Sequence, residues 1–269
     1  YGWKAGSLAL LADAGHMLTD AAGITLAVLA VTFASRPATP ERTFGYYRLE
    51  ILAAVVNAVL LFGVALYILV EAWQRWQSEP AVDGGLMLAF ALVGLVANVV
   101  GLLILRSGAK ESLNVRGAYL EVLGDLLGSG AVIVAAIVIA LTGWVRADVV
   151  ASVAVALMIL PRTWSLLREA VDVLLEATPR GVDLVQVREH ILSTPGVIGA
   201  HDLHAWTITS GLPVLSVHVV VTDEVLADGG GDRVLDELAH CLADHFDVEH
   251  CTFQLEPASH AAHEFHGHA

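Results

Sequence analysis

Sulfur and fixed charge are both scarce in this sequence. Two cysteines, Cys241 and Cys251, among 269 residues are too few for a disulfide-stapled fold and suit a reducing compartment. Charged residues make up only 16% of the chain and hydrophobic ones 56%, a balance that argues against a soluble domain and for the membrane class. Positive charge is nearly missing from the last third, where Arg180, Arg188 and Arg233 are the fixed cations after Pro179. With a formal net charge of -14, that argues against a nucleic-acid partner. No secretory signal peptide is read in the residues from Tyr1 onward, and no His-Glu-x-x-His metallopeptidase motif occurs.

Long apolar runs are what the sequence does have. Five segments, approximately 7–34, 49–73, 86–105, 118–142 and 147–168, reach the roughly 20 residues that a membrane span needs. The loops between them are too short to be domains. Arg36, Arg42 and Arg48 follow the first span, and Arg106, Lys110 and Arg116 follow the third. The alternate loops hold mainly Arg75 and Arg146, with Lys4 ahead of the first span. Positive residues favour the cytoplasmic side, so the first and third loops are expected inside. The start of the chain is then expected outside and everything after the fifth span inside. A further helix ahead of Tyr1 is the expectation that follows.

From about Thr178 the periodicity changes. VDLVQVREHIL predicts an amphipathic helix, entered through Pro179 and closed by Pro195-Gly196. VIGAHDLHAWTI and PVLSVHVVV predict a hairpin across SGLP, followed by a helix over about 232–245 and the strand VEHCTFQLE. The expected fold class is therefore a membrane all-α bundle over 1–176, then a small α+β domain of order αββαβ over 177–257. The His-rich stretch 258–269 has too little apolar content to pack and is expected to be a flexible tail.

Residues four apart on a helix share a face, one turn above the other. His16 with Asp20, and Glu121 with Asp125, form two such pairs inside the first and fourth spans. If those helices face each other, one imidazole and three carboxylates converge. That donor set suits tetrahedral zinc or a similar divalent ion. Cu(I) would prefer sulfur, and Met17 is the sulfur nearby. An ionised side chain at the centre of a span costs on the order of 3 kcal/mol, so a cluster there points to function. Asp13, a turn before His16, reads equally well as site or packing, and Asn57 and Asn98 read as interhelical hydrogen-bonders. The same spacing recurs at His240 and Asp244 on a helix expected to be half exposed, where a solvated face is the better reading.

The stretches SLALLADAGHMLTDA, RTFGYYRLEILAAVVNA, NVRGAYLEVLGDLLGS, DLHAWTITSG, LSVHVVV and HCTFQLE resemble, in order, those of the cation diffusion facilitators, most closely the zinc, cobalt and cadmium resistance branch. The resemblance implies six membrane helices, of which five would be present here, and a cytoplasmic ferredoxin-like domain. It also implies a homodimer in the cell's inner or plasma membrane that exchanges zinc, cadmium or cobalt for protons. By the same resemblance, His16, Asp20, Glu121 and Asp125 are the transport site, with Glu121 where many members carry histidine. His204, His218 and His250 match metal-binding positions of relatives, with Asp202, Cys251 and Glu256 as additions. Arg48 with Glu176 is the counterpart of a charge clamp at the dimer seam. The loop SRPATPERTFGYYR, lacking His and Asp, is expected to bind no metal. His260, His263, His266 and His268 read either as a loose metal-capturing tail or as an inert one. The rival reading is a membrane-tethered metal sensor or chaperone whose active part is the αββαβ domain.

Overall fold

Leucine, valine and alanine dominate the five long helices of the computed structural model, which describes residues 5–78, 81–106, 113–246, 250–261 and 263. The helices are α1 (Leu8–Ala34), α2 (Leu49–Ser78), α3 (Gly84–Leu105), α4 (Leu113–Thr142) and α5 (Arg146–Leu174). All five are long and apolar enough to cross a membrane. Four of the five starts lie within two residues of the sequence expectation, while α4 begins five residues earlier, at Leu113, and α2 and α5 run further, to Ser78 and Leu174. The added segments QRWQS and EAVDVL are too polar to extend an apolar count, yet nothing in them breaks a helix.

The chain divides into two compact units. The first comprises residues 1–29 and 53–168, the second 30–52 and 169–269. In the first, Ala9, Ala91, Ala135, Ala136, Ala147 and Ala151 line one packed cluster, with Met87, Val132 and Ile139 between them. Leu8, Leu61, Ile68, Val155 and Ile159 form a second cluster. Small side chains let helix backbones approach, which matters where lipid supplies no hydrophobic drive between helices. Gly23 marks one such approach: a Cβ there would lie 2.5 Å from the Asn57 amide. Leu18, Ile24, Tyr67, Leu103 and Leu141, by contrast, point outward and stay exposed, an apolar exterior suited to acyl chains rather than water.

The start of α1 is fixed from another helix. Asp148, in the first turn of α5 and only 1% exposed, accepts hydrogen bonds from Leu8 N (2.7 Å), Ala9 N (3.1 Å) and Ser7 Oγ (2.5 Å). Those amides have no partner within α1, so the carboxylate both satisfies them and meets the positive end of the helix dipole. His16 sits two turns further along.

The second unit holds the α+β layer. Helix α6 (Leu184–Ser193) precedes β1 (Val197–Thr207) and β2 (Pro213–Val221). A short α7 (Asp223–Ala227), then α8 (Gly231–Phe246), β3 (His250–Pro257) and α9 (Ala258–Ala261) follow. Strand order is β1-β2-β3, with β1 and β2 antiparallel and β2 and β3 parallel, as the α8 crossover requires. Val187 and Ile191 of α6 and Val234, Leu238 and Leu242 of α8 cover the sheet side chains Ala205, Leu215, Val217, Val219 and Val221. Asp183, rather than the Pro179 segment, starts α6: its carboxylate accepts from Val185 N and Gln186 N, an N-cap. The turn before β1 needs Gly196, at φ 89° with Val225 2.5 Å from where a Cβ would sit. Strand β3 is described only from His250, and residues 248 and 249, at the start of the predicted strand, lie outside the described residues.

Candidate metal centre

The His16–Asp20 spacing places both side chains on one face of α1, and α4 brings Asp125 to that face. His16 Nε2 lies 3.1 Å from Asp125 Oδ1, and His16 Nδ1 lies 3.4 Å from Asp20 Oδ2. Ligand atoms of these three residues lie within 4.8 Å of one another, close enough for one cation to touch all of them. His16 is buried, and its Nδ1 makes no hydrogen bond despite its closeness to Asp20. A buried ring nitrogen that faces a carboxylate without bonding it fits a cation shared between the two.

A cavity of about 170 Å³ opens on this cluster, with Asp13, Asn57, Glu121 and Arg162 also in its wall. Glu121, the fourth residue of the expected set, is turned elsewhere. Its Oε1 is 2.6 Å from Arg162 Nη2, and it is not part of the group that closes on His16. Arg162 had no signal in the sequence beyond being a charge next to Pro161 in the last span, which also holds Asp148 and Arg168. Asp13 faces the cavity beside Gly94 and Gly128, where added Cβ atoms would come within 3.9 Å of its carboxylate. Asn98 donates to Ser129 Oγ at 3.3 Å and so bridges α3 and α4, as its sequence reading holds. Asn57 differs: its Oδ1 is buried without a donor and its side chain lines the cavity.

The second unit contains a separate constellation. His218 Nδ1 lies 2.7 Å from Glu256 Oε1, and His201 Nε2 lies 3.4 Å from Glu256 Oε2. His201, His218 and Glu256 form a second three-ligand group within 4.8 Å. Glu256 is 1% exposed, takes a 2.8 Å hydrogen bond from Gln254 Nε2, and its Oε2 accepts none. Two imidazoles and a buried carboxylate oxygen without a donor fit a zinc-type ion. Asp202 links this group outward, 3.9 Å from His218 Nε2 and 3.1 Å from His204 Nε2.

His201 has no place in the sequence reading, and a β-bulge explains why. Counting the hairpin back from Thr207↔Pro213 and His204↔Ser216 would set Asp202 opposite His218. The register shifts between His201 and His204, so His201 pairs with His218 instead. Asp202 sits at φ 49° within that shift, a left-handed conformation that aspartate tolerates better than most residues. His250 is not brought to the group. It begins β3 opposite Val214, while Glu256 stands opposite Val220, six residues or about 20 Å along an extended strand. Cys251 also stays apart: it packs against the sheet core, and burial pushes its thiol up to about 11. A thiol held protonated is a poor ligand at neutral pH.

Arg48 Nη2 and Glu176 Oε1 meet at 2.8 Å within one chain, both well exposed. His240 is exposed on α8, while the Asp244 side chain lies outside the described residues. His260 and His263 are described and His266 and His268 are not. In the loop after α1, Arg36 stacks over Phe33 and Arg42 over Tyr46.

Two family models match this chain. The cation efflux transmembrane domain matches residues 1–175, and the cation efflux protein cytoplasmic domain matches residues 179–258. The metal cation efflux system protein CzcD of Cupriavidus metallidurans is 51% identical over 94% of this chain and 79% of its own length. The zinc transporter ZitB of Escherichia coli is 44% identical over 95% of this chain and 80% of its own. The cadmium, cobalt and zinc/H(+)-K(+) antiporter of Bacillus subtilis is 42% identical over 96% and 83%.

Proposed function

The chain belongs to the cation efflux family, and from that premise we propose that it carries zinc, cadmium or cobalt out of the cytoplasm in exchange for protons. The observation that carries this reading is the convergence of His16, Asp20 and Asp125 inside helices able to span a membrane. Groups this costly to bury in lipid persist where a cargo ion compensates them. The names of the relatives, a cation efflux protein, a zinc transporter and a cadmium, cobalt and zinc antiporter, support the same cargo.

In this reading His16, Asp20 and Asp125 are the transport site, and Glu121 joins them as the fourth ligand. Divalent metals bind only deprotonated imidazole and carboxylate, so protons and metal compete for the same atoms. Metal entering from the cytoplasm displaces protons. Rocking of the helices then opens the cavity outward, where protons return to the ligands and metal leaves. Three carboxylates with a single imidazole form a hard, acidic set that tolerates several divalent ions. The antiporter name of the Bacillus subtilis relative supports the exchange step.

The cytoplasmic domain is proposed to hold a resident metal on His201, His218 and Glu256, with Asp202 and His204 adjoining it and His250 at a distance. The ion would neutralise the Glu256 carboxylate and tie β1, β2 and β3 together. We further propose that the protein works as a homodimer in the inner or plasma membrane, and that Arg48 and Glu176 form a charge clamp near its seam. The family model for the cytoplasmic domain and the short Arg48–Glu176 pair support these parts. Asp125→Ala is expected to lower zinc-driven proton release from proteoliposomes by on the order of a hundredfold or more. Unchanged release would sink the site assignment.

A further inference from the structure

Arg162 is the fixed cation among the residues that line the transport cavity, facing Asp13, Asp20, Glu121 and Asp125. An arginine inside a span is expensive unless it is paired or serves the pathway. Here it lines the same cavity as the ligand cluster and is committed to Glu121, at 2.6 Å. The three residues that do close together, His16, Asp20 and Asp125, leave out the one carboxylate that Arg162 holds.

We propose that Arg162 is a positioning residue that acts as a tethered competitor of the metal, holding Glu121 out of the ligand set until an entering divalent ion displaces its guanidinium. The inference rests on the transport-site reading given above. A guanidinium and a divalent metal both bind a carboxylate through its oxygens, so Glu121 serves one cation at the expense of the other. With metal bound, the released guanidinium remains beside a cavity rich in carboxylates, so its charge is not stranded. On release, its return to Glu121 helps to empty the site. Pro161 precedes Arg162 inside α5, and its missing N–H frees one backbone carbonyl a turn earlier. The helix is therefore least tightly bonded next to the residue that has to move. Arg162 would set affinity and release rate without being a ligand.

The test is zinc transport by full-length protein in proteoliposomes, read as KM and kcat separately, with His16→Ala as the control for the site itself. Arg162→Gln removes the competing charge, so KM for zinc is expected to fall on the order of tenfold and kcat to fall as release slows. Arg162→Lys keeps the charge but loses the two-pronged fork, so its KM should lie between the two. In a Glu121→Gln background, Arg162→Gln should leave KM unchanged, because the carboxylate under competition is gone. If Arg162→Gln does not fold, as judged by size-exclusion chromatography, Arg162→Lys carries the test alone: a lowered KM supports the proposal. An unchanged or raised KM overturns it, as does an equal effect in the Glu121→Gln background. Transport that survives His16→Ala would overturn the site reading itself, a result separable from the behaviour of Arg162.

Discussion

The two ligand clusters use the same chemistry on different frames. In the helical unit, His16, Asp20 and Asp125 come from α1 and α4, with His16 buried and the two aspartates half-buried at the wall of a cavity of about 170 Å³. In the cytoplasmic domain, His201, His218 and Glu256 come from three hydrogen-bonded strands, and Glu256 is 1% exposed. The helical site opens on a cavity, and Glu121 in its wall lies 2.6 Å from Arg162 rather than in the three-residue group. The strand site has its carboxylate almost fully buried within a hydrogen-bonded ladder. The first arrangement suits an ion in transit and the second an ion that stays. On the proposed reading, the space beside the ligands separates those roles where donor identity alone does not.

The sharpest way to break this contrast is to remove one ligand from each cluster. His16→Ala or Asp20→Ala should reduce zinc transport by about a hundredfold or more, since a cation in lipid cannot replace a lost ligand with bulk water cheaply. His201→Ala should leave transport within about tenfold while weakening metal binding by the cytoplasmic domain 10- to roughly 100-fold. Equilibrium dialysis beside the flux assay reads both quantities on the same protein.

A milder change sharpens the metal choice. Glu121→His exchanges a carboxylate for a neutral imidazole and removes the partner of Arg162. The preference for zinc over cadmium and cobalt is expected to change by on the order of tenfold in competition binding. An unaltered ranking would mean that Glu121 never reaches the metal.

The smallest expected effect concerns Cys251. Its thiol is raised to about 11 by burial, above its value in an unfolded chain, so the folded state gains from keeping it neutral. That gain is complete below the unfolded pKa and is lost as pH rises through about 9 to about 11. Alkylation of Cys251 in the folded protein should therefore be slow at pH 8 and accelerate only towards the upper end of that window. Fast labelling near neutral pH would show that the strand core around it is looser than described.

Much of this was readable from residue order, for identifiable reasons. Spans follow from apolar length, and a one-turn spacing puts His16 and Asp20 on one face whatever the fold does. Asp125 could be expected near them because its helix carries the same kind of buried cost. Three features were not legible. The Arg162–Glu121 pair depends on how α4 and α5 are rotated about their own axes, which hydropathy does not encode. The His201–His218 pairing depends on a bulge that moves the register by one residue. The Asp148 cap on α1 joins residues more than a hundred positions apart. Each is a tertiary choice among arrangements that local propensity leaves equal. The same one-turn spacing at His240 leaves that histidine exposed, so spacing acquires meaning only from its surroundings.

The most direct test of the central claim is metal-driven proton release from proteoliposomes, measured in parallel for the wild type, Asp125→Ala and Glu256→Gln. The transport assignment predicts that release disappears in Asp125→Ala and persists in Glu256→Gln. Release that persists in Asp125→Ala and disappears in Glu256→Gln would contradict it, and would move the working metal site from the helices to the sheet.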